Sequence, residues 1–263
     1  MKRLSLTAVL LLCGFTSALA WGVKGHVIVA IIAEQHLTPR ALAAVGELLA
    51  EEGKSSMADV ANWADGVRRL KIPIQPSHSV RIDGGYEPYN PRDCGKNYCI
   101  LAAIDANIEV LRDPKARTEA RVMALKYLIH FVGDIHMPMH ATEAGRGLKV
   151  IFRKREVTLH KVWDTYIVTN QRGDVRTLAQ RVQESGKRYL ANKITPIDWA
   201  LEGRDITRDV ILVGTLANPT AAPVVLPSTY AEDNWPVVKE RLNLAGLRLA
   251  NLLNDVLATD EPR

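Results

Sequence analysis

The stretch His130-Phe-Val-Gly-Asp134-Ile-His136-Met-Pro138-Met-His140 constrains this chain more than any other. It prolongs an apolar run, yet it carries three histidines and a carboxylate. Residues four apart on a helix share a face, so His130 and Asp134 can be aimed at one centre. Pro138 perturbs or ends that helix and lets His140 aim elsewhere. A second pair spaced by four follows in Leu159-His160-Lys-Val-Trp-Asp164. Imidazole nitrogen with carboxylate oxygen is a ligand combination that suits zinc. One such pair is more often a surface hydrogen bond. Two pairs with a third histidine between them put metal binding level with that ordinary reading.

Two further pieces favour the metal. Asp65, in Trp63-Ala64-Asp65, interrupts an otherwise apolar helical face and needs a partner if it is buried. His78 follows a Pro-rich break where periodicity calls for no histidine. His26 lies close behind Trp21, whose α-amino group becomes a possible ligand if the chain is cut after Ala20.

The first residues make that cut an expectation. Lys2 and Arg3, the apolar run Leu4 to Leu12 and the Ala18-Leu19-Ala20 close have the form of a secretory signal peptide. An uncleaved N-terminal anchor is the alternative. The apolar run is too short for a stable span, and no other run reaches about 18 residues. Of the 263 residues, 47% are hydrophobic and 24% charged, which excludes disorder, collagen-like repeats and a small disulfide scaffold. Losing Lys2 and Arg3 lowers the basic count from 34 to 32 against 29 acids, so the net charge falls from +5 to +3. That allows a polyanionic substrate without indicating a DNA-coating protein. Cys13 leaves with the leader, and Cys94 and Cys99 should pair across a short loop in an oxidising compartment. A zinc site is the rival for those two thiols, but they make only half of one.

The remaining pattern is mostly helical. Val27 to Gln35 is apolar-rich. Thr38 caps a helix with Pro39 at its first position, running to about Glu52 and ending at Gly53. A third helix spans Met57 to Leu70 and is stopped by Pro73 and Pro76. Residues 83–96 read as an irregular loop. Asn97 to Leu111 and Thr118 to about Val132 are two long helices, and 148–158 is a β-hairpin. Helices resume near Leu159, at Val175 to Ser185, at Trp199 to Leu212 and at Trp235 to Leu257, with a loop at 217–229. No repeat or linker divides the chain, so one mainly α domain is expected.

Taken together, Trp21-Gly-x-x-Gly-His26, Trp63-Ala-Asp65, His78, the His130–His140 segment and Leu-His160-x-Val-Trp-Asp164 resemble the zinc-dependent, single-strand-specific nucleases of fungi, plants and bacteria. The likeness covers essentially the whole mature chain, including Asp93-Cys94 with Cys99 and the C-terminal run from Ala245 to Asn254. It implies the single α-helical domain shared with zinc phospholipases C, and three zinc ions at the bottom of a cleft. Asp65, His78, His130 and Asp134 would hold one. Trp21, His26 and the other oxygen of Asp134 would hold a second, and His140, His160 and Asp164 the third. The implied chemistry is a zinc-bridging hydroxide attacking phosphorus, with the third zinc facing the leaving 3′ oxygen. Arg68 matches a family arginine that contacts phosphate, one helical turn from Asp65, although a solvated arginine is also consistent. His36 and His136 match no ligand position and are read as structural.

The pattern departs from the family after His78. Ser79 stands where an aromatic residue usually stacks on a base, and Arg81 where an acid is usual. Arg81 could pair with a phosphate or with Asp83. Gly145-Arg146-Gly147 replaces a Gly-Gly-Asn segment, so Arg146 could substitute for the asparagine by charge. The resulting expectation is an exported, monomeric nuclease acting on single-stranded DNA and RNA to leave 5′-phosphates, with 3′-nucleotidase activity. A zinc phospholipase C, or a non-catalytic metal-stabilised binding protein, are the alternatives.

Overall fold

The computed structural model describes residues 21–70, 75–96, 98–184 and 195–258. The expected leader at 1–20, Pro73, the Asn97 helix start and the Ser185 helix end lie outside the described residues. Helix α1 (Gly22–Gln35) is apolar on nearly all sides, and such a helix is stable only when enclosed. Its Ile28, Val29, Ala30, Ile32 and Ala33 are fully buried. Thr38 starts α2 (Pro39–Ala50) as expected, accepting from the Ala41 N–H at 3.2 Å.

The helix expected from Met57 to Leu70 is instead two, α3 (Met57–Val60) and α4 (Trp63–Arg69). The turn between them leaves the Ala61 carbonyl outside the helical ladder, where it accepts from His130 Nδ1 at 2.8 Å. A buried imidazole needs a partner of this kind. Helix α5 (Ile100–Arg112) begins at Cys99, which is disulfide-bonded to Cys94, so the thiols pair and hold no zinc. It packs along α6 (Thr118–Ile135). That helix runs past the expected end at Val132, and every residue from Leu128 to His140 is buried. Pro138 opens a 3-10 turn, Pro138–His140.

The hairpin forms as expected from β1 (Lys149–Phe152) and β2 (Arg155–Thr158). Arg153 and Lys154 take positive φ values of 50° and 64°, the conformation a two-residue hairpin turn demands. The loop expected at 217–229 contains a strand, β3 (Val224–Val225), which adds parallel to β1. Two residues are too few to show a period of two in a sequence.

After the hairpin, α7 (Leu159–Lys161), a π-turn (Val162–Tyr166) and α8 (Ile167–Thr169) follow one another without a gap. Next come α9 (Val175–Glu184) and α10 (Pro196–Ile206), the latter opened by a Thr195–Asp198 capping box and continued by a π-turn, Thr207–Ile211. Helix α11 (Tyr230–Val256) starts before the expected Trp235 and carries Pro236 in its second turn. It lies along α1 at close range: a Cβ on Gly246 would stand 2.5 Å from Ile32. The result is one mainly α domain. Among the described residues no helix is long and apolar enough to cross a membrane.

Candidate metal centre

Five separate segments deliver ligand-type side chains to one buried region. Helix α1 brings His26, α4 brings Asp65, and α6 brings His130 and Asp134. His78 sits on an extended stretch tied to the 3-10 turn, with Val80 N donating to the His140 carbonyl at 2.9 Å and Ile82 N to Ala141 at 3.2 Å. His160 lies in α7 and Asp164 in the π-turn that follows it. His26, Asp65, His130, Asp134 and Asp164 are fully buried.

Asp134 divides its oxygens between neighbours. Oδ2 lies 2.9 Å from His78 Nδ1 and 3.2 Å from His130 Nε2, while Oδ1 faces His26 Nε2 at 3.3 Å. Asp65 Oδ1 is 3.7 Å from His78 and 3.8 Å from His130. Further along, His140 Nε2 meets His160 Nε2 at 3.1 Å and Asp164 at 3.9 Å. Gly133 makes room for this packing, since a Cβ there would approach His26 Nδ1 to 2.9 Å. Three sets of donor atoms therefore each fall within 4.8 Å: His26, Asp65 and His130; His78, His130 and Asp134; His140, His160 and Asp164.

Charge in this region is strongly perturbed. Burial works against ionising Asp134, but His130, His26 and His78 overcome it and hold the acid well below the usual range. Burial, then Asp134 and Asp65, push Asp164 well above it, partly countered by the Trp21 backbone N–H and Arg68. Burial also lowers His140 to about 4 and His160 well below its ordinary value, so both rings are neutral and able to ligate near pH 7. His130 is raised, because Asp134 outweighs the opposing effect of its burial. His26 is lowered by burial and by His130, whose ring stacks on it at 3.8 Å.

A cation answers what these carboxylates lack. Both oxygens of Asp65 are buried with no hydrogen-bond partner, a costly condition unless a positive ion sits beside them. Three sets of nitrogen and oxygen donors with this chemistry are compatible with zinc. The pattern that defines the S1/P1 Nuclease family matches residues 21–258. The chain belongs to that family.

Nuclease P1 of Penicillium citrinum is 27% identical to this S1/P1 nuclease over 269 residues, 90% of this chain and 97% of its own. Nuclease S1 of Aspergillus oryzae (strain ATCC 42149 / RIB 40) is 27% identical over 91% and 92% of the two chains. Endonuclease 3 of Arabidopsis thaliana is 27% identical over 92% and 90%. The protein is thus a nuclease, a hydrolase of phosphodiester bonds acting on nucleic acid.

A cleft of about 270 Å³ opens onto the ligand groups and is lined by Arg68, Ser79, His140, Arg146 and His160, among others. Three of the four side chains expected to meet substrate thus face it. Arg81 is not in that lining: it is mostly exposed and pairs with Glu143 at 3.4 Å, which also takes Arg146 at 3.5 Å. The pairing with Asp83 does not occur. Asp83 Oδ1 accepts instead from Gly85 N at 2.9 Å, while a parallel bridge between Ile82 and Thr142 sets Arg81 beside Glu143.

The two remaining histidines belong to none of these donor sets. His36 Nδ1 donates to the Ile32 carbonyl at 2.9 Å. His136 donates from Nδ1 to Val132 and accepts at Nε2 from Arg248, itself held by Glu202. Sequence reasoning misses the Ala61 carbonyl and Gly133. The second had a signal, a glycine inside a helical run of large apolar residues.

Proposed function

We propose that this nuclease is an exported, monomeric zinc enzyme that cleaves single-stranded DNA and RNA to 5′-phosphorylated products and also acts on 3′-nucleotides. The observation that carries this reading is the division of Asp134 between His26 on one oxygen and His78 and His130 on the other. A purely structural site seldom needs a carboxylate spanning two adjacent ligand sets, whereas paired-metal phosphoesterases do.

Asp65, His78, His130 and Asp134 would hold one zinc. Trp21, through its amino and carbonyl groups, His26 and Asp134 would hold a second, and His140, His160 and Asp164 a third. Removal of residues 1–20 would free the Trp21 amine, and the Trp21 backbone N–H already acts on Asp164. Zinc ions so held supply Lewis acidity and a water acidic enough to lose a proton near pH 7.

The chain's own groups do the rest. Arg68 and Arg146 line the cleft and can grip phosphate oxygens, fixing the phosphorus over the ligand groups. Asp65 would give one oxygen to its zinc, and its other oxygen can orient the attacking water and take its proton. Because the ligand groups are buried, a phosphate must descend to reach them. A single strand can do this, whereas the width of a duplex holds its backbone away.

The test is direct. Zinc-loaded protein beginning at Trp21 should degrade single-stranded DNA and RNA and spare duplex, with about three zincs per chain. Intact single strands across about pH 5–9 would overturn the reading.

A further inference from the structure

Arg146 and Gly147 line two cavities, the cleft over the ligand groups and a second one beyond them. The second, about 480 Å³, lies between the turn at 145–149 and the segment 212–223. Its volume is in the range of small-ligand sites. Leu212, Pro219 and Pro223 give it apolar lining, and Arg146 and Lys149 line it as well. Gly147, in both linings, has a φ of 76° and nothing within 4 Å of where a Cβ would be, so the space around it is open. Arg146 stands beside it, facing both.

We propose that the second cavity is a subsite for the adjacent nucleotide of the substrate strand. Its base or sugar would lie against Leu212, Pro219 and Pro223, and its phosphate would be taken by Arg146 and Lys149. Cationic and apolar residues lining one cavity match the two halves of a nucleotide. Consecutive nucleotides are one phosphate apart, so two cavities sharing an arginine match two consecutive units. The present partners of the cations are easily exchanged. Arg146 pairs with Glu143 at 3.5 Å and Lys149 with Glu156 at 3.6 Å, with all four side chains 44–56% exposed. Exposed pairs of that kind are weak and yield to a phosphate.

This inference rests on the single-strand reading above, and its test separates the two. Ala221, an exposed residue of the cavity lining, is replaced in A221L to fill the space and in A221E to oppose phosphate. Cleavage of a hexanucleotide is compared by kcat/KM with release of phosphate from a 3′-mononucleotide, which cannot fill the second cavity, with melting temperature confirming the fold. Wild type should prefer the hexanucleotide, and both variants should shrink that preference about tenfold, equal to about 1.4 kcal/mol. In K149Q the salt dependence of hexanucleotide binding should fall by about 0.7 in logarithmic slope. An undiminished preference in both Ala221 variants would overturn the subsite. Failure of the single-strand reading looks different, because wild type would then leave the hexanucleotide intact. Fluorescence anisotropy of a labelled hexanucleotide on chelated protein still reports the subsite in that case: weaker binding by A221E supports it, and equal binding removes it.

Discussion

His140 donates from Nδ1 to the backbone carbonyl of His78 at 2.7 Å. A carbonyl can only accept, so the proton is fixed on Nδ1 and the Nε2 lone pair is free to face His160 and Asp164. The backbone of one ligand thereby orients the ring of another, and two donor sets are mechanically joined. Hydrogen bonds of this type set imidazole tautomer and direction in metal sites.

The first expectation concerns how many metals each carboxylate serves. Asp134→Ala should lower the zinc content by two ions per chain and Asp164→Ala by one, because only Asp134 faces two histidine sets. Both should cut nuclease activity by more than about 100-fold. Metal analysis by mass spectrometry measures the difference, and equal losses would refute the bridging role.

A second concerns Trp21. It is fully buried at the start of α1, with a φ of 28° that an ordinary helical residue does not adopt. Protein carrying one extra residue before Trp21 should fold, lose one zinc and lose most of its activity, since an amide cannot replace an amine as ligand. Full zinc content and activity in the extended chain would argue against the amino ligand.

Gly133 offers a steric test. In Gly133→Ala the new methyl would lie 2.9 Å from His26 Nδ1 inside a fully packed region. Overpacking of this kind costs about 1–3 kcal/mol. Calorimetry should show a lower melting temperature, and zinc analysis a loss at the His26 set. Unchanged values in both would show that the helices can separate to accept it.

The last expectation is a pH effect away from the ligands. Burial, with Arg241 and Arg248 nearby, holds the His136 pKa well below 6.5 in the fold. Between that depressed value and about 6.5 the unfolded chain binds the proton and the folded chain does not. Stability therefore falls as pH drops through this window and is fully present above it. In chelated protein, the melting temperature of His136→Asn should decline less steeply from about pH 7.5 to 5 than that of wild type. Parallel curves would remove His136 from the account.

Much of this is legible locally. Thr38-Pro39, the i,i+4 spacing of His130 and Asp134, and the alternation of 148–158 act through neighbours a few residues away, so sequence and structure agree there. The Met57–Leu70 segment shows where such reasoning ends. Its apolar spacing predicts one helix, but the helix opens at Ala61, whose carbonyl meets His130 from far along the chain. Arg81 is similar: the nearest acid in sequence is Asp83, yet the Ile82–Thr142 bridge puts Glu143 beside it.

The sequence by itself determined the kinds of donor, their spacing within each segment, a mainly helical domain and a resemblance to one nuclease family. Those follow from side-chain chemistry and helical period, which are local properties. That Asp65, His78 and Asp134 converge and that Asp134 faces two ways is implied before the fold only by that resemblance; the tertiary structure supplies the distances, and it alone decided that Arg81 pairs with Glu143 and that Arg146 lines two cavities. Each depends on helices packing across long stretches of chain, and that packing is set by the whole buried core rather than by any one segment.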